Sequence, residues 1–163
     1  MTAKPPAGTP AMLALTNAGI AFTVHSYVHD PAVTAYGLEA ADALGLAAEV
    51  VFKTLLAEAD GKLVVAVVPV STQLDLKALA SALHAKKAVM ADAGLAARVT
   101  GYVVGGISPI GQKRALRTVV DDSAVERGTI YVSGGRRGLD LGLSPHDLLT
   151  VTGAVLARIR RDT

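Results

Sequence analysis

Cysteine is absent from the 163 residues. That one absence removes disulfides, thiolate nucleophiles and cysteine metal sites. It also fits a reducing cytosol, so a cytoplasmic location is the expectation. Tryptophan is missing too, and aromatic residues make up only 4% of the chain. So few rings give no platform for stacking the bases of a single strand. Long apolar runs are lacking as well. The longest, Leu63 to Val70, contains Pro69 and falls far short of the ~20 residues that span a bilayer. No basic start followed by an apolar stretch opens the chain, so neither a signal peptide nor a membrane segment is expected.

Motifs are missing in the same informative way. The four histidines, His25, His29, His84 and His146, have no metal-ligand spacing on a helix face. His25 and His29 would share a strand face, but roughly 13 Å apart, too far for one metal ion. No metal and no cofactor are therefore expected. There is no Gly-x-Ser-x-Gly elbow and no Walker loop.

What is present is a small-residue core. Hydrophobic residues reach 51%, mostly Ala, Val and Leu. The length suits one domain, expected over residues 11–163 behind a flexible Pro- and Gly-rich lead-in at 1–10. Net charge is only +2, but it is uneven. Residues 1–100 carry 7 basic and 8 acidic side chains, and residues 101–163 carry 9 and 6. A basic last third beside a pocket would suit a phosphate-bearing ligand, although an ordinary solvated surface would look the same.

The pattern predicts a short helix from Ala11 stopped by Gly19, and a strand over 20–27. A helix capped by Thr34 follows and ends at Gly45. Val50–Ala59 and Lys62–Val70 flank Asp60-Gly61, the strongest hairpin signal in the chain. Helices are expected from Ser71, Thr72 or Asp75 to His84, from Asp92 to Arg98, and from Ser144-Pro145 onward. Strand and turn are expected over 101–106, and short strands over 118–120, 129–133 and 154–159. Helices and strands mix without βαβ alternation, which predicts an α+β fold with a largely antiparallel or mixed sheet.

One residue stands out against this background. Lys53 sits in the apolar run Val50-Val51-Phe52-Lys53-Thr54-Leu55-Leu56. A buried ammonium is costly unless it meets an anion or acceptors, so Lys53 is a functional candidate. The alternative is that it alternates outward and its stem covers the strand. Two glycine-rich segments could surround it, Gly105-Gly106 through Lys113 and Ser133 through Asp140. Adjacent glycines let backbone N–H groups approach an anion or an oxyanion, and equally they make tight turns.

In combination these segments resemble a known family. Phe52-Lys53-Thr54-Leu55, Gln73 to Lys77, Gly101 to Pro109 and Ser133 to Asp140 occur in the order found in the YbaK/ProX aminoacyl-tRNA deacylases. These are related to the editing domain of bacterial prolyl-tRNA synthetases. The likeness runs from about Ala11 to Arg161, and His25 to Pro31 resembles the YbaK branch. The resemblance implies a curved, mostly antiparallel sheet with surrounding helices. It implies Lys53 as the pocket lysine and Gly105 as the glycine whose amide lines the pocket near the scissile ester. Thr54, Ser133 and Asp140 match pocket residues. Tyr27, Gly106 and Ser108 join them as candidates, and Tyr36 falls where the branch has Phe. The substrate implied is cysteine mischarged on proline tRNA, or Cys-tRNA(Cys), cleared through attack by the substrate's own thiol. An alanine or serine specificity, and a non-catalytic module binding tRNA or a synthetase, stay open. The partners implied are the acceptor end of aminoacyl-tRNA and, transiently, prolyl-tRNA synthetase, with no DNA and a monomer by default.

Overall fold

A computed structural model describes residues 8–162. Most of the lead-in therefore lies outside the described residues, but Thr9 and Pro10 do not. Thr9 is buried and caps helix α1 (Pro10–Asn17), and its hydroxyl also donates to the Gly134 carbonyl. The remaining elements are β1 (Thr23–Ser26), α2 (Tyr36–Leu44), β2 (Phe52–Ala59), β3 (Lys62–Pro69), β4 (Thr72–Leu74) and α3 (Leu76–Ala82). They continue with β5 (Ala88–Met90), α4 (Ala93–Thr100), β6 (Arg117–Asp121), β7 (Ile130–Arg136), β8 (Leu139–Leu143), α5 (Pro145–Thr152), β9 (Val155–Ala157) and β10 (Arg160–Asp162).

Three sheets result among the described residues. A five-stranded sheet has the order β5-β2-β3-β6-β9, a three-stranded one β1-β8-β7, and β10 pairs with β4. Five of the seven ladders are antiparallel; β3–β6 and β6–β9 are parallel. The fold is α+β with a mixed, mostly antiparallel set of sheets. A single parallel bridge, Val51 to Tyr131, joins the five-stranded sheet to the three-stranded one.

The apolar run at 63–70 is explained by its position. β3 is the centre of its sheet and is covered on both faces. Val65 and Val67 enter the core shared with Phe52, Ile130, Leu141 and Leu148; Val64, Ala66 and Val68 enter a second core with Leu79 and Ile159. A strand buried on both sides reads as continuously hydrophobic.

Several expectations need correction. Residues 101–106 form turns rather than a strand. Tyr102, whose hydroxyl donates to the Ile110 carbonyl at 2.7 Å, fastens that loop as a closed unit. The helix after Thr34 is preceded by Ala35, with no side-chain cap, although Gly45 ends it in the left-handed conformation as anticipated. Of the three helix openings considered, Asp75 is the cap, and Thr72 belongs to β4. The strand expected over 20–27 shrinks to four residues because its alternation slips: Thr23 and Val24 are both exposed. The strand expected over 154–159 keeps only Val155–Ala157, and Arg160–Asp162 pairs separately with β4.

Candidate active site

β2 is covered unevenly, and this creates the site. β3 pairs with its whole length, but β5 covers only Ala57 to Ala59 on the other side. From Phe52 to Leu56 that second edge borders a cavity of about 370 Å³. Its other walls are the start of α2, Val104, Gly105 and Ile107 from the loop after α4, Ser133 on β7 and Asp140 on β8. Side chains from both faces of β2 reach the cavity because it lies along the strand's edge.

The cavity gathers seven of the nine residues singled out by sequence: Tyr27, Tyr36, Lys53, Thr54, Gly105, Ser133 and Asp140. Gly106 and Ser108 lie outside its lining. Ser108 is fully buried, and its hydroxyl accepts from the Ile110 N–H at 3.2 Å. It shapes the loop behind the site.

Charge in the cavity is unbalanced. Lys53, opposite Val68 in the β2–β3 ladder, is half-buried and forms no ion pair among the described residues. Burial lowers its pKa. Asp140 is only 5% exposed, and burial pushes its carboxyl up to about 7. Burial, followed by the nearby Asp140 charge, raises the Tyr27 phenol. The Thr54 hydroxyl is buried with no hydrogen-bond partner. An unpaired cation, an unpaired acid and an unsatisfied hydroxyl leave several polar demands for a ligand to meet.

The two loop glycines differ in what they can offer. The Gly106 N–H is already spent on the Val103 carbonyl at 2.9 Å, and a Cβ there would fall 2.7 Å from Arg136 Cα. The Gly105 N–H has no hydrogen-bond partner among the described residues. Its φ is +85°, and a Cβ would fall 2.6 Å from Tyr36 Cδ1. Only glycine fits both the conformation and the ring beside it.

Three residues grouped around Tyr36, behind the cavity's lining, were not singled out as site residues. His29 Nδ1 pairs with Glu39 Oε1 at 2.6 Å, and the other Glu39 oxygen accepts from the Asp30 N–H at 2.9 Å. This hydrogen bond to His29, with the Asp30 N–H next, holds the Glu39 carboxyl below its usual range. The His29 ring leans on Tyr36 at 5.6 Å. Arg137 lies over the Tyr36 ring, 4.8 Å from its centroid, and its Nε donates to the Val104 carbonyl at 2.8 Å. In sequence Arg137 reads only as one of several basic residues. Its place inside the glycine-rich segment was the available clue. His25 goes elsewhere, to the Thr23 hydroxyl at 2.7 Å and edge-on to Tyr131.

This arrangement can be set beside known proteins. Residues 29–151 match the family model described as the aminoacyl-tRNA editing domain. A protein of Enterococcus faecalis, EbsC, named as a candidate Cys-tRNA(Pro)/Cys-tRNA(Cys) deacylase, is 38% identical over 120 residues, covering 73% of each chain. Among solved structures, a hypothetical protein superposes with a TM-score of 0.84 at 25% identity, over 94% of this chain and 100% of that one. A candidate trans-editing enzyme for prolyl-tRNA synthetase superposes at 0.82 with 24% identity, over 98% and 99%. The family match runs from before α2 into α5, and the chain belongs to the aminoacyl-tRNA editing domain family as an aminoacyl-tRNA deacylase of the YbaK type.

Proposed function

We propose that the substrate is cysteine esterified to tRNA(Pro), with Cys-tRNA(Cys) as a second substrate, and that the substrate's own thiol performs the attack. The observation that carries this reading is the cavity's lack of an activated nucleophile. Ser133 is the serine in its wall, yet no histidine among the described residues lines the cavity, and the Ser133 hydroxyl accepts from the Gly135 N–H at 3.2 Å while making no hydrogen bond to the carboxyl of Asp140, its partner across the ladder. A serine needs an adjacent base to become a nucleophile. The name carried by the E. faecalis relative points to the same substrate.

The cysteinyl sulfur attacks the ester carbonyl carbon, the bond to the ribose oxygen breaks, and that oxygen leaves with the proton the thiol gives up. The products are free tRNA and a cyclic thiolactone, which water later opens. The protein's part is positioning and charge stabilisation. The Gly105 N–H stabilises the oxyanion, a contribution typically of about 3 kcal/mol for one such donor. Lys53 holds the terminal ribose-phosphate region, where its point charge suits phosphate. Asp140, Ser133 and Thr54 orient the amino acid, and an incoming α-ammonium gives Asp140 the cation that burial denies it. Selection of tRNA is borrowed from prolyl-tRNA synthetase in a transient complex, and the protein works as a cytoplasmic monomer.

The test is deacylation of cysteinyl-, alanyl- and seryl-tRNA(Pro) side by side, with Lys53→Ala as control. Clearance of cysteine far ahead of serine, lost in a folded Lys53→Ala protein, is expected. Equal rates for serine and cysteine would replace thiol attack by water. Undiminished turnover in the variant would remove Lys53 from the site.

A further inference from the structure

We infer that Arg137 is a positioning residue for deacylation, holding the Val104–Gly105 peptide so that its N–H faces the reacting ester. The inference rests on the role assigned to the Gly105 N–H above.

The argument begins with one peptide unit. The Val104 carbonyl and the Gly105 N–H belong to the same trans peptide, and in such a unit the two dipole ends point in opposite directions. Arg137 Nε donates to the Val104 carbonyl at 2.8 Å from the exposed side of the loop. The Gly105 N–H is thereby turned away from Arg137, and no other hydrogen-bond partner claims it. Without that hold the peptide is free to rotate, because glycine at φ +85° resists flipping less than any other residue.

The same guanidinium fixes the neighbouring wall. It lies over the Tyr36 ring at 4.8 Å, and the Tyr36 ring is the surface that any Cβ on Gly105 would strike. One side chain therefore braces both the donor peptide and the ring packed against it. The charge also adds to the effect. A cation hydrogen-bonded to a peptide oxygen draws electron density toward that end and makes the N–H at the other end a stronger donor. A donor pre-aimed at a developing oxyanion acts on the transition state more than on the bound ester, so its loss should show in kcat.

The experiment compares Arg137→Ala, Arg137→Gln and Arg137→Lys in single-turnover and steady-state deacylation of cysteinyl-tRNA(Pro), with thermal melting of each. Amide nitrogen and carbonyl carbon NMR shifts are recorded across Val104 and Gly105. In Arg137→Ala, kcat should fall about 10- to 100-fold with KM within a few-fold of wild type and melting unchanged. The Val104 carbonyl and Gly105 amide signals should move, and Arg137→Lys or added guanidinium ion should restore part of the rate. A rise in KM at constant kcat, with a shallower salt dependence, would make Arg137 a phosphate contact and overturn the inference. Unmoved Val104 and Gly105 signals would overturn it whatever the kinetics. A wild-type protein that clears no cysteinyl ester would instead sink the proposed function while the NMR comparison still judged the peptide geometry. Should Arg137→Ala fail to fold, Arg137→Gln, which keeps an N–H donor without the charge, supplies the same readouts.

Discussion

At the scale of single residues, the site depends on groups whose local costs are visible. Gly105→Ala puts a methyl group into the Tyr36 ring at 2.6 Å and asks an L-residue to hold φ +85°. The backbone term alone is of order 1–2 kcal/mol. We expect a folded but strongly impaired protein, and Tyr36→Ala in the same chain should recover the part of the stability lost to the clash, though not the backbone part, without recovering rate. Recovery of both would show that the clash, rather than the placement of the N–H, limited activity. Asp140 gives a pH-dependent prediction. Its folded pKa of about 7 lies above the ordinary 3.8, so stability present while the carboxyl is protonated is lost as pH rises toward 7. Asp140→Asn removes that loss, on the order of 3–4 kcal/mol at neutral pH and little near pH 4. Melting of both proteins across that range checks it, and a constant difference would mean that the carboxyl is not burdened by burial. Lys53 was legible from sequence because a charge in an apolar run is conspicuous. Arg137 was not, since an exposed arginine looks the same whether it braces a peptide or faces water.

At the scale of elements, legibility followed the range of the forces. The β2–β3 hairpin was readable because Asp60 (φ 48°) and Gly61 (φ 80°) form its turn from local conformational preference alone. The capped starts of α4 and α5 at Asp92 and Ser144 were equally local, since each side chain accepts a bond from an N–H three residues on; Asp75 caps α3 in the same way but was one of three openings the sequence allowed. Asp92→Ala should therefore lower stability by about 1 kcal/mol, read as a shift in urea midpoint at constant slope. No shift would mean that packing alone sets the start of α4. The short strands β4, β5 and β10 were not readable. Each has three residues and exists because a distant partner is present: Leu74 opposite Arg160, or Met90 opposite Ala57. β8 was hidden differently. The segment from Ser133 to Asp140 reads as one glycine-rich turn, but Gly134 and Gly135 lie within β7, where a bulge separates Ser133 from Arg136. Gly134 has no room for a side chain, since a Cβ would fall 2.8 Å from Leu139 Cγ.

At the scale of the whole molecule, a buried acid ties the chain's last strand to its centre. Asp121, at the end of β6, is fully buried. It accepts from the Ile159 and Arg160 N–H groups at 3.0 Å and from Arg160 Nη1 at 2.9 Å. Burial alone would raise its pKa, but the bonds from Ser123, Ile159 and Arg160 outweigh burial and hold the carboxyl below its usual value. The stability it confers is present above the ordinary carboxylate range and lost as pH falls through the lowered folded value. Removing residues 158–163 strips this acid of its Ile159 and Arg160 partners, including its counter-charge, and leaves only the bonds from Ser123. We expect a cost of about 3–5 kcal/mol, the range for a broken buried pair, measured by denaturant unfolding at neutral pH. A truncated protein as stable as the parent would show that solvent replaces the lost partners. None of this long-range assembly was readable along the chain, where Asp121 and Arg160 stand 39 residues apart.

The uneven covering of β2 has one more consequence. The Leu56 carbonyl turns toward Ala91, and strand alternation sends the Thr54 N–H and carbonyl to that same side, where β5 no longer reaches. Thr54 thus presents a backbone pair and an unsatisfied hydroxyl to the cavity together. Its amide, in the middle of an otherwise ordered strand, should trade its hydrogen for deuterium far faster than Leu55 or Ala57 in the empty protein. It should slow when the site fills, making one amide in the sheet a natural gauge of occupancy.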